Sequence, residues 1–259
     1  MNNIYKIHAA IIVATGTEEN AVQNMYDWQP VTFDGDNQQY YVASYVANGQ
    51  QCKVAYARQT EMGTTVAVTL TMKLIEHFRP KYVVMAGIAA GISPDEEEQI
   101  YGDVLVADTL WNYTSGKFVS PDRTEIRFGS VGFIPRPAVV KANEQVLRYV
   151  RQAAASEENQ CKVHFGVMAT GTAVVTSREI VRKQIHSTFG ETIGLDMEAY
   201  GVVYATQNAT EPRPDAIVIK SVCDYANNEK SDQYQKFAAY TSCEFAKLVI
   251  EKYLPTEQA

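Results

Sequence analysis

Short apolar runs of strand length alternate with helical patterns along almost the whole chain, and this alternation constrains its fold more than any other feature. Ile7–Ala14 reads as a buried strand broken by Gly16, after which Thr17, Glu18 and Glu19 open a helix reaching Tyr26. Gln39–Ala47 and Cys52–Ala57 alternate as a hairpin with Asn48-Gly49 at its turn. Ala67, Leu70, Thr71, Leu74 and Phe78 recur at three and four, which predicts a helix over Thr64–His77 ended by Pro80. Tyr82–Ala86 and Val104–Ala107 read as buried strands, and residues 112–137, rich in Gly and Pro, as loop. The alternation then resumes. Helices are predicted over Pro137–Ala155, Ser177–Ser187, Glu198–Gln207 and from a Ser231 cap to Tyr253. Strands are predicted over His164–Ala169, Ile193–Leu195 and Ala216–Val222. The pattern predicts a single α/β domain over residues 1–259, with a mixed central β-sheet flanked by helices on both faces. In such sheets ligands bind beyond the carboxyl ends of the strands, here the loops after Val13, Ala86, Ala169 and Val222.

Composition narrows the partners. A formal charge of −7 leaves no basic stripe for a nucleic-acid backbone. The longest apolar stretches, Ile7–Ala14 and Tyr82–Ile92, fall far short of the ~20 residues that cross a bilayer, so no membrane partner is expected. The Thr-Gly-Thr-Glu-Glu that follows the first stretch reads as a loop behind a strand rather than an export signal. The short acidic run Glu96–Glu98 reads as a solvated turn. Cys52, Cys161, Cys223 and Cys243 are widely spaced, with no CxxC pair, as expected of reduced thiols in the cytoplasm. His8, His77, His164 and His186 stand singly, so no zinc site is expected.

The strand-end loops hold the residues suited to chemistry. Glu18 and Glu19 follow the first strand, where acids also serve simply to complement a helix dipole. Ala86-Gly87-Ile88-Ala89-Ala90-Gly91 reads as a Gly-rich turn, without the spacing of a nucleotide fingerprint. Leu195-Asp196-Met197-Glu198 lies at a strand–helix junction, where Asp196 suits an N-cap. Asp224 directly follows the apolar run Ile217–Val222, and a carboxylate there is costly unless hydrogen-bonded.

In this order and spacing the segments resemble the nucleoside phosphorylase/nucleosidase superfamily, from Ile11 to Leu254. The segments are Phe78-Arg79-Pro80-Lys81-Tyr82-Val83-Val84 running into the Gly-rich turn, Gly102-Asp103-Val104-Leu105-Val106-Ala107-Asp108, Met197-Glu198, and Asp224 after its Val/Ile strand. The closest branch is that of the methylthioadenosine/S-adenosylhomocysteine nucleosidases. The resemblance implies a small-molecule nucleoside as partner and a homo-oligomer, dimer favoured, with no metal or organic cofactor. It implies that Glu18 activates water, with Glu19 as fallback, and that Asp224 protonates the purine. It also implies that Met197 packs on the sugar and Glu198 holds its hydroxyls. Val175 falls where the family reads an adenine edge. Lys220 stands where the branch carries Arg, Val174 where it carries a base-stacking aromatic, Cys223 where it carries Ser, and Ile88 where it carries a serine of the water site.

These residues imply hydrolysis of the N-glycosidic bond of a purine nucleoside. Asp224 acts as general acid, while Glu18 and Glu198 stabilise the cation-like sugar. Phosphorolysis is the runner-up. It needs cations for phosphate, yet the superfamily's Arg and Ser positions are Met85 and Ile88 here, and the nearest cations are Arg58 and Lys220. A nucleoside-binding or sensor module without turnover is a further alternative. So is a nucleotide N-glycosidase, whose polyphosphate would be met by Lys117, Arg123, Arg127 or Arg136, with Tyr113 and Phe118 lining the 5′ pocket.

Overall fold

The structure is a computed structural model and describes residues 5–47, 49–92, 98–120, 127–128, 131–227 and 232–256. The expected turn residue Asn48, the acids 96 and 97, Arg123, the side chain of Arg127 and the Ser231 cap lie outside the described residues.

The first strand, β1 (Ile7–Val13), is buried at every position. Its side chains alternate between two cores: Ala9, Ile11 and Val13 face one, Ala10 and Ile12 the other. Fully burying Ile11 and Ile12 contributes roughly 1.5–3 kcal/mol each, so both faces of the strand demand a cover. One cover comes from α1 (Gly16–Gln23), α3 (Glu144–Ala154) and α6 (Gln235–Leu248). The other comes from α2 (Thr64–Phe78) and α5 (Ala199–Asn208). This is the mixed sheet with helices on both faces that the alternation predicts.

The remaining large-sheet strands are β2 (Gln29–Phe33), β3 (Asp36–Ala47), β4 (Gln50–Arg58), β5 (Pro80–Gly91), β6 (Val104–Asn112), β10 (Val139–Lys141), β11 (Val163–Thr170), β12 (Thr192–Asp196) and β13 (Asp215–Asp224). Their order is β10-β6-β11-β12-β5-β1-β4-β3-β2, with β13 pairing both β5 and β6. Pairings therefore run β5–β13–β6–β11–β12 and back to β5, a closed circuit at one end of the sheet.

Several expectations are corrected. Ala86–Gly91 is not a turn: β5 runs straight through it, because parallel pairing to β13 continues from Tyr82 to Ala90. The predicted helix Pro137–Ala155 starts later, at an Asn143 cap, because Val139–Lys141 pairs with β6 first. Residues 112–137 hold a small antiparallel sheet of β7 (Gly116–Val119), β8 (Arg127–Phe128) and β9 (Val131–Pro135). The first helix is capped by Thr15 rather than Thr17 and ends at Gln23. Over Ser177–Ser187 only Arg178–Ile180 (α4) is α-helical, followed by a π-helical stretch Val181–His186. The last helix likewise ends in π-helical Val249–Tyr253.

Candidate active site

The carboxyl ends of β1, β5 and β13, which are parallel, open toward one cavity of about 220 Å³. β12 runs antiparallel to β5, yet its end reaches the same place, because Gly194 and Leu195 pair with Gly91 and Ala90 at the far end of β5. The cavity is lined by Glu18, Ile88, Val174, Val175, Met197, Glu198, Cys223 and Asp224 together. Eight of the residues singled out in the sequence thus meet on one wall. Arg58 and Glu19 do not: they pair with each other at 2.7 Å, away from the lining. Phe118 is exposed and outside the cavity, whereas Tyr113 lines it.

Glu18 is placed by α1. Thr15 caps the helix and Glu18 answers it, closing a capping box. Its Oε2 accepts from Ala14 N at 2.6 Å and Thr15 N at 2.8 Å, and its Oε1 from Ile88 N at 2.8 Å. A carboxylate offers about four acceptor positions, so these three bonds orient it and leave one on Oε1. The approach to β5 requires glycine beneath it: a Cβ on Gly87 would lie 1.9 Å from Oε1. Ile88 therefore contributes its backbone N–H to the site.

Glu198 and Asp196 come from the β12–α5 junction. The N-cap of α5 is Glu198 rather than the expected Asp196, which instead ties down the helix start from two residues before it, its Oδ2 accepting from Ala199 N at 2.7 Å and Glu198 N at 3.3 Å, while Oδ1 accepts from Thr170 Oγ1 at 2.6 Å. Glu198 Oε1 accepts from Gly63 N at 2.9 Å, where Gly63 sits at φ 120. Burial pushes the Glu198 carboxyl up to about 7, opposed by Lys220 and aided by Asp196 and Glu18. Burial also raises Asp196, against Lys220 and its hydrogen bonds. Asp224 is 4% exposed at the end of β13. Its Oδ1 accepts from Ala226 N at 2.9 Å, and Cys223 Sγ donates to Oδ2 at 3.5 Å.

Lys220 is the exception among the expected contact residues. It is fully buried behind the wall, with Nζ 3.6 Å from Glu18 Oε1 and 3.9 Å from Asp196 Oδ2, and it does not line the cavity. Its position in the middle of β13, rather than at the end, keeps it from a ligand. Among the described residues lining the cavity, none is Lys or Arg. Sequence reading missed Met62, Gly63, Asp232 and Gln235, and gave Asp196 only its cap. The one available signal was Met62-Gly63 directly before a helix, since a glycine there suits the unusual backbone. No group of three or more His, Cys, Asp or Glu among the described residues is arranged to hold a metal ion.

Fold and site define an α/β protein whose strand ends converge on a small cavity walled by carboxylates. The chain belongs to the phosphorylase superfamily, which matches residues 8–255. It is 32% identical to an uncharacterized protein of Sinorhizobium fredii over 88% of this chain and 56% of the relative. It is 27% identical to a death domain-containing ATP nucleosidase of Amphimedon queenslandica, over 71% of this chain and 36% of that protein. It is 25% identical to a 5′-methylthioadenosine/S-adenosylhomocysteine nucleosidase of Bacillus velezensis, over 73% and 76%. The chain thus spans about half or less of the first two relatives. The fold also matches the nucleosidase of that name from Neisseria meningitidis, solved with methylthio-immucillin-A, at TM-score 0.75 and 20% identity, covering 94% and 98% of the two chains. No helix among the described residues is long and apolar enough to cross a membrane.

Proposed function

We propose that this chain hydrolyses the N-glycosidic bond of a purine nucleoside of the methylthioadenosine/S-adenosylhomocysteine kind. The observation that carries the reading is the convergence of Glu18, Glu198 and Asp224 on one cavity whose described lining includes no Lys or Arg. Asp224 delivers a proton to the purine so that it leaves as a neutral base. The glycosidic bond breaks with its electron pair going to the base, and the sugar turns cationic. Glu198 and Glu18 oppose that charge, and Glu18, through its remaining acceptor position on Oε1, takes the proton of the attacking water. Met197 and Val174 offer apolar surface to sugar and base, and Val175 a backbone edge for base recognition. A phosphate dianion beside these carboxylates would be repelled, which favours water over phosphorolysis. Among the described residues the lining offers no Lys or Arg to a 5′-polyphosphate, the second reading that the Amphimedon queenslandica relative brings. A cytoplasmic homo-oligomer, dimer favoured, completes the reading, and size-exclusion chromatography tests the assembly.

The test is a panel of methylthioadenosine, S-adenosylhomocysteine, adenosine, inosine, uridine and ATP, with and without phosphate. Free base with reducing sugar in phosphate-free buffer is expected. Sugar 1-phosphate formed only with phosphate would establish phosphorolysis instead. Binding without turnover would establish a sensor, and turnover of ATP alone a nucleotide N-glycosidase.

A further inference from the structure

A buried ammonium is costly to desolvate unless its charge is answered, and Lys220 is answered in an unusual way. It faces Gly87 of β5 and Leu105 of β6 in the register of β13 and is 0% exposed. Nζ lies 3.6 Å from Glu18 Oε1 and 3.9 Å from Asp196 Oδ2, and no hydrogen-bond partner is within reach among the described residues. A Cβ on Gly87 would stand 3.0 Å from Nζ, so bare backbone makes the room. The titratable groups around it are Glu18 from α1, Asp196 and Glu198 from the β12–α5 junction, and the Cys243 thiol from α6. Burial pushes that thiol up to about 12, so it stays neutral. Three buried carboxylates therefore share one cation.

Glu18 and Asp196 already take their hydrogen bonds from backbone N–H groups and Thr170. Neither claims the ammonium for itself. We propose that Lys220 is a positioning residue whose ammonium, held between Glu18 and Asp196 without bonding to either, favours the charged form of the neighbouring Glu198 and never touches substrate. Burial works to lower the Lys220 pKa, yet Glu18, Asp196 and Glu198 together hold it above its ordinary value, so the cation persists across neutral pH. This deepens the hydrolytic reading and rests on it for the link to rate, while the charge of Glu198 is measurable without substrate.

The experiment follows the side-chain carboxyl of Glu198 by 13C NMR in protein labelled at glutamate, assigned by its loss in Glu198→Gln. The wild-type midpoint is expected at about 7. In Lys220→Met it should rise by about 1–3 pH units, the usual effect of removing a nearby opposite charge, and the acid limb of kcat/KM should rise with it. Lys220→Arg should bring both back toward wild type. An unchanged midpoint in Lys220→Met, with only the melting temperature lowered, would reduce Lys220 to a structural residue and overturn the proposal; so would a moved midpoint with an unmoved rate limb. Should Lys220→Met not fold, Lys220→Gln provides the second arm. Its neutral amide also removes the cation, so the Glu198 midpoint should rise as in Lys220→Met, and a midpoint that stays put overturns the proposal. If the midpoints move as expected while nothing in the nucleoside panel is cleaved, the hydrolytic reading fails and the placement of charge stands.

Discussion

At the scale of residues, Asp224 and Glu18 are assigned different work on opposite reactants, and leaving-group chemistry separates them. Asp224→Asn should severely slow cleavage of a natural purine nucleoside but cost much less with a nitrophenyl riboside, whose departure needs no proton. Equal losses on the two substrates would make Asp224 a support of the cavity, fitting its bond from Ala226 N. Glu18→Gln should lose roughly 10²–10⁴-fold in kcat on both substrates while still binding them, the range expected of a general base. The amide keeps one acceptor oxygen but turns an NH2 toward backbone N–H donors, so an analogue-binding measurement must accompany the rate. Near-normal turnover in Glu18→Gln, with the loss falling on Glu19→Gln, would move the role to a side chain that the structure ties to Arg58.

Elements matter because they bring these residues together at close range. The first turn of α1 and the middle of β5 approach so closely that a Cβ at position 87 would have to displace the Glu18 carboxylate. Gly87→Ala should push the Glu18 carboxylate off Ile88 N and crowd Lys220. A stability loss of about 1–3 kcal/mol is expected by thermal or chemical unfolding, with kcat/KM falling at least tenfold. A variant with wild-type kinetics would show that the Glu18–Ile88 bond is dispensable. The α5 junction works in a similar way. Asp196 accepts from Ala199 N at the start of the helix and so fixes the Glu198 cap, which Gly63 N holds at the cavity.

At the scale of the whole molecule, the cluster of buried acids should leave a mark on folding. The folded-state pKa of Glu198 is raised from 4.5 to about 7, so between those values the native state holds a proton that the unfolded chain has released. Its stabilising share is complete below about 4.5 and is lost as pH rises through about 7. Wild type should therefore lose stability relative to Glu198→Gln as pH is raised across this window, read from urea unfolding at several pH values. Parallel curves for the two proteins would show that Glu198 titrates normally.

How far the order of residues alone carries the protein can be judged element by element. The strands Ile7–Val13 and Asp215–Asp224 and the helix Thr64–Phe78 were legible, because burial on two faces writes unbroken apolar runs and burial on one face writes a period near four. Asp224 was legible because it ends an apolar run, whereas Glu18 and Glu198 stood out only through the family resemblance. The path of β5 through Ala86–Gly91 was not, since glycine and alanine signal a turn unless a neighbouring strand supplies pairing, as β13 does through Ala90. Nor was the small strand Val139–Lys141, which exists only because β6 is there to pair with it. Lys220 shows the difference most clearly. Along the chain it is a cation within an apolar strand and could have reached a ligand. Only the closed circuit of β5, β13, β6, β11 and β12, with α1 laid across it, puts that ammonium between Glu18 and Asp196, because distances of under 4 Å between residues 24 and 202 positions apart are set by packing and not by sequence spacing.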